Sequence, residues 1–76
     1  MIRFFFDVKA DGVVEHDYNG RFLPSLDHAQ QMAELIAVDL SFERRNTVGP
    51  PEVQIRDAQG CLLCSVPVQL MDAVAT

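Results

Sequence analysis

The chain has 76 residues, of which 11 are acidic and 6 are basic, and its net charge is −5 at pH 7. This length favours one small domain over residues 1–76, with 72–76 as a loose tail. The acidic balance argues against nucleic acids and membrane surfaces as partners, because both require clustered Lys and Arg side chains. No apolar run reaches the roughly 18 residues that cross a bilayer, so we expect a cytoplasmic protein.

The first predicted element is a strand from Ile2 to Lys9, in which apolar residues alternate with mostly polar ones. Its even-numbered residues should face the core. Phe5 then points to the other face of the sheet, where a domain with one helix has nothing of its own to cover it. Phe5 is therefore a candidate contact residue; the alternative is a lone exposed Phe beside long polar side chains.

Two turns follow this strand. Ala10-Asp11-Gly12 is typical of a hairpin turn, because Gly accepts the positive φ that other residues resist, and Val13–Tyr18 should form the returning strand. Asp17-Tyr18-Asn19-Gly20 has Asp first and Gly fourth, which is the pattern of a type I turn. A short third strand, Arg21–Leu23, can then precede Pro24.

Ser25 to Arg45 is the one long stretch with helical spacing. Ser25 suits the N-cap, since its hydroxyl can accept a hydrogen bond from an unpaired amide of the first turn. Gly49-Pro50-Pro51 cannot continue a helix. The residues that recur at three- and four-residue steps and should face the core are Leu26, Ala29, Ala33, Ile36, Ala37 and Leu40.

Three further apolar residues of this helix, Leu35, Val38 and Phe42, fall nearly opposite that stripe. Exposed apolar side chains are normal when they are scattered, and Phe42 can fold over the end of the helix. The alternative is that the three residues form a face that binds a partner. The sequence leaves both interpretations open.

A second hairpin follows the helix. Glu52–Arg56 predicts a strand with its odd-numbered residues inward, and Asp57-Ala58-Gln59-Gly60 repeats the Asp-x-x-Gly turn. Cys61–Leu70 predicts the last strand, with its even-numbered residues inward and Leu63 on the other face. Pro67 lacks an amide proton, which indicates an edge, a bulge or weak pairing.

These elements give an α+β fold in the order β-β-α-β-β, with antiparallel hairpins forming one sheet and a single long helix packed on one face. The first and last strands carry the most apolar side chains. We therefore expect both at the centre of the sheet, in the order 2-1-4-3 when the short Arg21–Leu23 strand is left out of the numbering.

No combination of residues predicts a catalytic site, a metal site or a cofactor. Cys61 and Cys64 match Cys-x-x-Cys, but residues three apart in a strand point to opposite faces, so the two sulfurs should diverge. His16 and Asp17 are adjacent in the returning strand and should also face opposite sides, and no nucleophile is placed to join them.

The first hairpin carries a cluster of carboxylates that could bind a divalent cation weakly. The spacing of an EF-hand loop, with its closing Glu, is absent. The cluster consists of Asp7, Asp11, Glu15 and Asp17.

A resemblance to a known family covers nearly the whole chain. It rests on turns, caps and core positions, namely Arg3-Phe4-Phe5-Phe6-Asp7-Val8, Asp11-Gly12, Asp17-x-x-Gly20, Leu23-Pro24-x-Leu26, Ala29, Ala33, Arg56-Asp57-x-x-Gly60 and Val66-Pro67. In these positions the chain resembles short, stand-alone bacterial proteins grouped as domain of unknown function 6894. The resemblance implies the fold and supplies no catalytic residue.

Our leading hypothesis is a non-enzymatic protein-interaction module that self-associates as a homodimer and needs no cofactor. One alternative, suggested by the analogy of a strand hairpin and helix to small antitoxin-like domains, is a regulatory protein that binds a partner protein. Another is a binder of a small ligand or metal on the acidic first hairpin. The candidate interface residues are Leu35, Val38, Phe42, Phe5 and Leu63.

Overall fold

The computed structural model describes residues 1–43 and 51–68 of the chain. The elements in these ranges are β1 (Ile2–Ala10), β2 (Val13–Glu15), β3 (Arg21–Leu23), α1 (Leu26–Glu43), β4 (Glu52–Arg56) and β5 (Leu62–Pro67). All the strand pairs are antiparallel, and α1 packs on one face of a single sheet. The predicted α+β class and the short third strand are therefore confirmed.

β1 lies at the centre of the sheet, as predicted, in the order β2-β1-β4-β5, and β3 pairs with the start of β1. The expected central position of the last strand is wrong, because β4 lies between β1 and β5. β4 has only two apolar residues, Val53 and Ile55, but both are fully buried in the core beneath α1. Its polar residues face the other side of the sheet and bond to side chains of β1 and β5.

The hairpin between β1 and β2 closes through Asp11 and Gly12, whose φ angles are 55° and 77°. This is the two-residue turn that Asp-Gly favours. β2 is shorter than predicted, because it ends at Glu15 instead of Tyr18. Residues 16–20 leave the ladder before the chain pairs with β1 again as β3, and we call them the connecting loop.

The core lies between α1 and the sheet and is built around small helix residues. Ala29 and Ala33 are fully buried, and Ala37 and Leu40 are nearly so. Alanine side chains let the helix approach the sheet closely, so that larger strand residues fill the space. The other members of this core are Phe4, Phe6, Val53, Ile55 and Val68.

The first turn of α1 confirms the predicted cap and corrects one predicted core residue. Ser25 Oγ accepts a hydrogen bond from the amide of His28 at 3.4 Å, so Ser25 is the N-cap. Leu26 is 37% exposed rather than in the core, because α1 enters the core only from Ala29 onward. The predicted ends of the helix and of the last strand, Arg45 and Leu70, and the predicted tail lie outside the described residues.

An irregularity in the ladder between β4 and β5 changes which residues face the core. Ile55 pairs with Cys64, but Arg56 pairs with Leu62, so the register shifts by one residue between them. Leu62 is 57% exposed, and the prediction that it faces inward is wrong. Beyond the shift the prediction holds, since Cys64 and Val66 pack against the core.

Candidate functional site

The face of the sheet opposite α1 carries a polar cluster that we define as Asp7, His16, Asp17 and Arg56. Asp7 lies in β1 and is 2% exposed. Its carboxylate accepts hydrogen bonds from Arg56 Nε at 2.6 Å and Nη2 at 3.2 Å. His16 Nδ1 lies 3.3 Å from the same carboxylate. The two inner strands β1 and β4 are thus joined by an ion pair as well as by their backbone.

Asp17 holds the connecting loop against β1. Its Oδ2 accepts a hydrogen bond from the amide of Phe6 at 3.2 Å, in place of the strand partner that β1 lacks there. Its Oδ1 accepts from the amides of Asn19 and Gly20, and its own amide donates to Asp7 Oδ1 at 2.9 Å. These bonds explain why β2 ends early. At Asp17 the side chain, rather than the backbone of a paired strand, accepts the hydrogen bond from the amide of Phe6 in β1.

The pKa of Asp7 is set by opposing effects. Burial raises the pKa, but hydrogen bonds from Arg56 and from the amide of Asp17, the charge of Arg56 and the contact with His16 together hold it below its ordinary value of 3.8. In return, the hydrogen bond to Asp7 raises the pKa of Arg56. Both groups are therefore charged at neutral pH.

The pKa of Asp17 is lowered in the same way by different donors. Burial raises it, while hydrogen bonds from the amides of Gly20, Phe6 and Asn19 lower it further than burial raises it. The nearby charge of Asp7 opposes this lowering. The net result is a pKa below 3.8, so both carboxylates of the cluster carry charge at neutral pH.

Phe5 is half-buried on this face, because two arginines cover its ring. The guanidinium carbon of Arg3 lies 4.9 Å from the ring centroid and that of Arg56 lies 5.0 Å away. Arg3 is held in place by two hydrogen bonds to the carbonyl of Asn19, at 3.1 and 2.6 Å. The premise that nothing in the domain covers Phe5 is therefore wrong, and its role in an interface stays a prediction.

The polar cluster was missed at the sequence level, because its members lie far apart in the chain. His16 and Asp17 do not act on each other as a pair; each contacts Asp7 instead. The available signal was Asp7 itself, a charged residue between the apolar residues Phe6 and Val8 in the middle of a strand. Such a residue requires a partner when it is buried.

The acidic hairpin does not assemble the predicted cation site from its described residues. The carboxylates of Asp7 and Asp17 already accept hydrogen bonds from Arg56 and from backbone amides. Within residues 1–43 and 51–68, no group of three or more His, Cys, Asp or Glu side chains is arranged to hold a metal ion.

The candidate interface residues lie on different surfaces. Leu35 and Val38 are 63% and 55% exposed on the outer side of α1, as predicted. Leu63 is 39% exposed on β5, and Phe5 lies on the sheet face away from α1. The side chain of Phe42 lies outside the described residues. Of the candidate residues whose side chains the structure describes, only Leu35 and Val38 lie together, one helical turn apart.

The two cysteines are free, with Cys61 exposed and Cys64 half-buried. Gln30 Nε2 on α1 lies 3.7 Å from Cys64 Sγ, so this side of the helix stands over β5. On the opposite side of the helix, a surface groove of about 490 Å³ runs beside the connecting loop. It is lined by Phe6, Asp17, Asn19, Gly20, Arg21 and Ile36.

The fold and these surfaces define a small α+β domain with a buried carboxylate–arginine pair on one face and exposed apolar residues on its helix. The family model of a domain of unknown function, DUF6894, matches residues 3–69. The chain belongs to this family, which confirms the resemblance seen in its sequence. Searches among curated proteins and among solved structures gave no significant match.

No helix in the described part of the chain combines the length and the apolar character that crossing a membrane requires.

Proposed function

We propose that this chain is a non-enzymatic protein-interaction module of the cytoplasm that self-associates through the outer side of α1. The observation that carries the proposal is the exposure of Leu35 and Val38, at 63% and 55%, on a helix whose other side forms the core. Adjacent exposed apolar side chains on a small acidic domain favour a contact surface over a solvated one.

The size of the domain supports self-association. A single core of this size supplies no more than about 3–5 kcal/mol of stability, and small domains often gain the remainder from disulfides, metals or a second subunit. The two cysteines are free. Pairing two copies about a two-fold axis would bury the same apolar residues on both.

The chemistry of the two carboxylates in the polar cluster supports a non-enzymatic role. General acid or base catalysis needs a carboxylate or imidazole that can exchange protons with a substrate near neutral pH. The carboxylates of Asp7 and Asp17 are instead bonded to Arg56 and to backbone amides, and their pKa values are lowered. They serve the fold of the connecting loop.

The test is the mass of the chain in solution, measured by sedimentation over a range of concentrations. We expect a concentration-dependent dimer that the double variant Leu35→Glu/Val38→Glu converts to a monomer. The matched control is Val13→Glu/Phe22→Glu, which adds the same charge at two apolar residues that are each 62% exposed elsewhere. It should remain dimeric. A monomeric wild-type chain at high micromolar concentration would contradict the proposal.

A further inference from the structure

The charged side chains of the described residues are divided unevenly between the helix and the sheet. The sequence of α1 contains acidic residues but no Lys or Arg. The next basic residues along the chain, Arg44 and Arg45, lie outside the described residues. Every Lys and Arg of the described residues lies in a strand, namely Arg3 and Lys9 in β1, Arg21 in β3 and Arg56 in β4. α1 is therefore an acidic helix on a sheet that holds the described basic residues.

Carboxylates lie on both sides of the exposed pair Leu35 and Val38. At about 100° per residue, Glu34 falls about 70° from the midpoint of this pair on one side. Asp39 falls about 70° from the midpoint on the other side. Both acidic residues are exposed, as is Asp27, which lies on the same side as Glu34. The outer side of α1 is thus a short apolar stripe between two acidic borders, and we call Leu35, Val38, Glu34 and Asp39 the helix seam.

A second copy of the chain brings the same charges to this surface. When two helices pair along their apolar stripes, the border residues of one helix face those of the other, and like charges there oppose the contact. Neither copy has a Lys or Arg in α1 to offset its carboxylates. Charge therefore limits self-association through the helix seam, whereas a helix with basic borders gains attraction from the same carboxylates.

We propose that the helix seam binds a basic amphipathic helix of a partner protein, with the partner's apolar residues over Leu35 and Val38 and its Lys or Arg side chains beside the two carboxylates. This inference rests on the proposed function, because it uses the same side of α1, and it names the partner that the charges of this side favour. Charged borders beside an apolar stripe are the feature by which paired helices select one another. Two apolar residues make a small contact, so we expect a transient complex whose specificity comes from charge.

The test is the binding of a labelled synthetic helix to the full chain, measured by fluorescence anisotropy. The probe is a dilute heptad peptide with Leu at its a and d positions and Lys at e and g, and the matched control peptide has Glu in place of each Lys. The chain is kept at concentrations where it is monomeric. We expect the Lys peptide to bind at least about tenfold more tightly than the Glu peptide. Equal affinities, or no binding of either peptide, overturn the inference.

Variants at exposed positions separate the helix seam from the overall negative charge of the chain. Leu35→Glu/Val38→Glu makes the chain more acidic, yet it should abolish binding of the Lys peptide because the apolar contact is lost. Glu34→Lys should weaken binding by about tenfold. Glu15→Lys makes the same change of net charge at an exposed residue of β2 and should change binding by less than about twofold. Tighter binding by Leu35→Glu/Val38→Glu, or equal effects of the two charge reversals, would show nonspecific attraction and overturn the inference.

The outcomes separate this inference from the proposed function. A wild-type chain that is monomeric at every concentration but binds the Lys peptide at the helix seam overturns self-association and supports the basic partner. A dimer that Leu35→Glu/Val38→Glu dissociates, but whose monomer does not bind the Lys peptide, overturns the basic partner and leaves self-association standing. Added salt gives a further distinction, because screening should weaken binding of the Lys peptide and strengthen self-association. An affinity for the Lys peptide that does not fall with salt contradicts the inference.

Discussion

Asp7 and Arg56 are 49 residues apart in sequence and form two hydrogen bonds between the inner strands β1 and β4. Their exposure differs: 2% of the Asp7 side chain is accessible, against 25% of the Arg56 side chain. A guanidinium that loses its partner can turn toward water, whereas a carboxylate at this depth cannot. The two residues therefore differ in what their removal costs.

Replacing Arg56 should destabilise the chain more than replacing Asp7. Arg56→Met leaves a buried charge unpaired, and we expect it to lower the free energy of unfolding by about 3 kcal/mol. Asp7→Asn keeps the shape and leaves no buried charge, but its single amide oxygen cannot accept from both Arg56 and the amide of Asp17, so its cost should be about 2 kcal/mol. Urea denaturation measures both losses, with Arg21→Met on exposed β3 as the control that changes stability by less than about 0.5 kcal/mol. Equal losses at positions 7 and 56 would show that the difference in burial does not matter.

The stability of the chain should fall in acid. In the folded chain the pKa values of Asp7 and Asp17 lie below 3.8, so the unfolded chain takes up protons at a higher pH than the folded one. Their contribution is fully present above the unfolded pKa and is lost as the pH falls through it toward the folded value. We expect a constant free energy of unfolding above about pH 5 and a decline below about pH 4.

The contribution of Asp7 to this acid dependence can be measured by repeating the experiment with Asp7→Asn. This variant lacks one of the carboxylates whose pKa is lowered in the folded chain, which are Asp7, Asp17 and Glu52, so its free energy of unfolding should decline less steeply between about pH 4 and pH 2. Thermal unfolding monitored by circular dichroism at several pH values gives the comparison. A decline as steep as that of the wild-type chain would exclude Asp7 as a source.

Local signals in the sequence predicted the helix and the strands of this fold, but not which strands lie next to one another in the sheet. Helical spacing, the cap at Ser25 and the Asp-Gly turn at residues 11–12 each act within a few residues, and each was found as predicted. Strand order depends on which side chains of neighbouring strands can bond or pack together, and these residues are far apart in the sequence. β4 takes a central position because its polar face bonds to Asp7 on one side and to Ser65 on the other.

The candidate site was predictable only in part, for the same reason. The exposure of Leu35 and Val38 follows from helical geometry alone. The polar cluster depends on the pairing of Asp7 with Arg56, 49 residues away, and on the connecting loop, which takes the place of a strand beside β1. Neither feature can be predicted from the spacing of apolar residues. The ladder irregularity that exposes Leu62 is likewise a property of two paired strands.

Gly20 should be the least replaceable of the turn glycines described. Its φ is +72°, and a Cβ there would lie 2.9 Å from the carbonyl oxygen of Phe4, which is too close for a real contact. Gly60 has a φ of +88° but open space around it. We expect Gly60→Ala to cost about 1–2 kcal/mol from the backbone conformation alone, and Gly20→Ala to cost clearly more. The midpoints of urea unfolding compare the two, and similar shifts would mean that the backbone near Phe4 moves aside.

Phe5 should contribute to stability through its two arginines rather than through a partner. Cations at 4.9 and 5.0 Å from an aromatic ring stabilise it by about 0.5–1 kcal/mol each near the surface. A double-mutant cycle of Phe5→Leu and Arg3→Met should give a coupling of this size, because leucine keeps most of the apolar area but has no ring face. The control is the double-mutant cycle of Arg3→Met and Phe22→Leu. The centroid of the Phe22 ring lies 5.8 Å from the guanidinium carbon of Arg3, so this coupling should be smaller. If instead Phe5→Leu shows no coupling with Arg3 but shifts the monomer–dimer equilibrium, the sheet face rather than α1 is the contact surface.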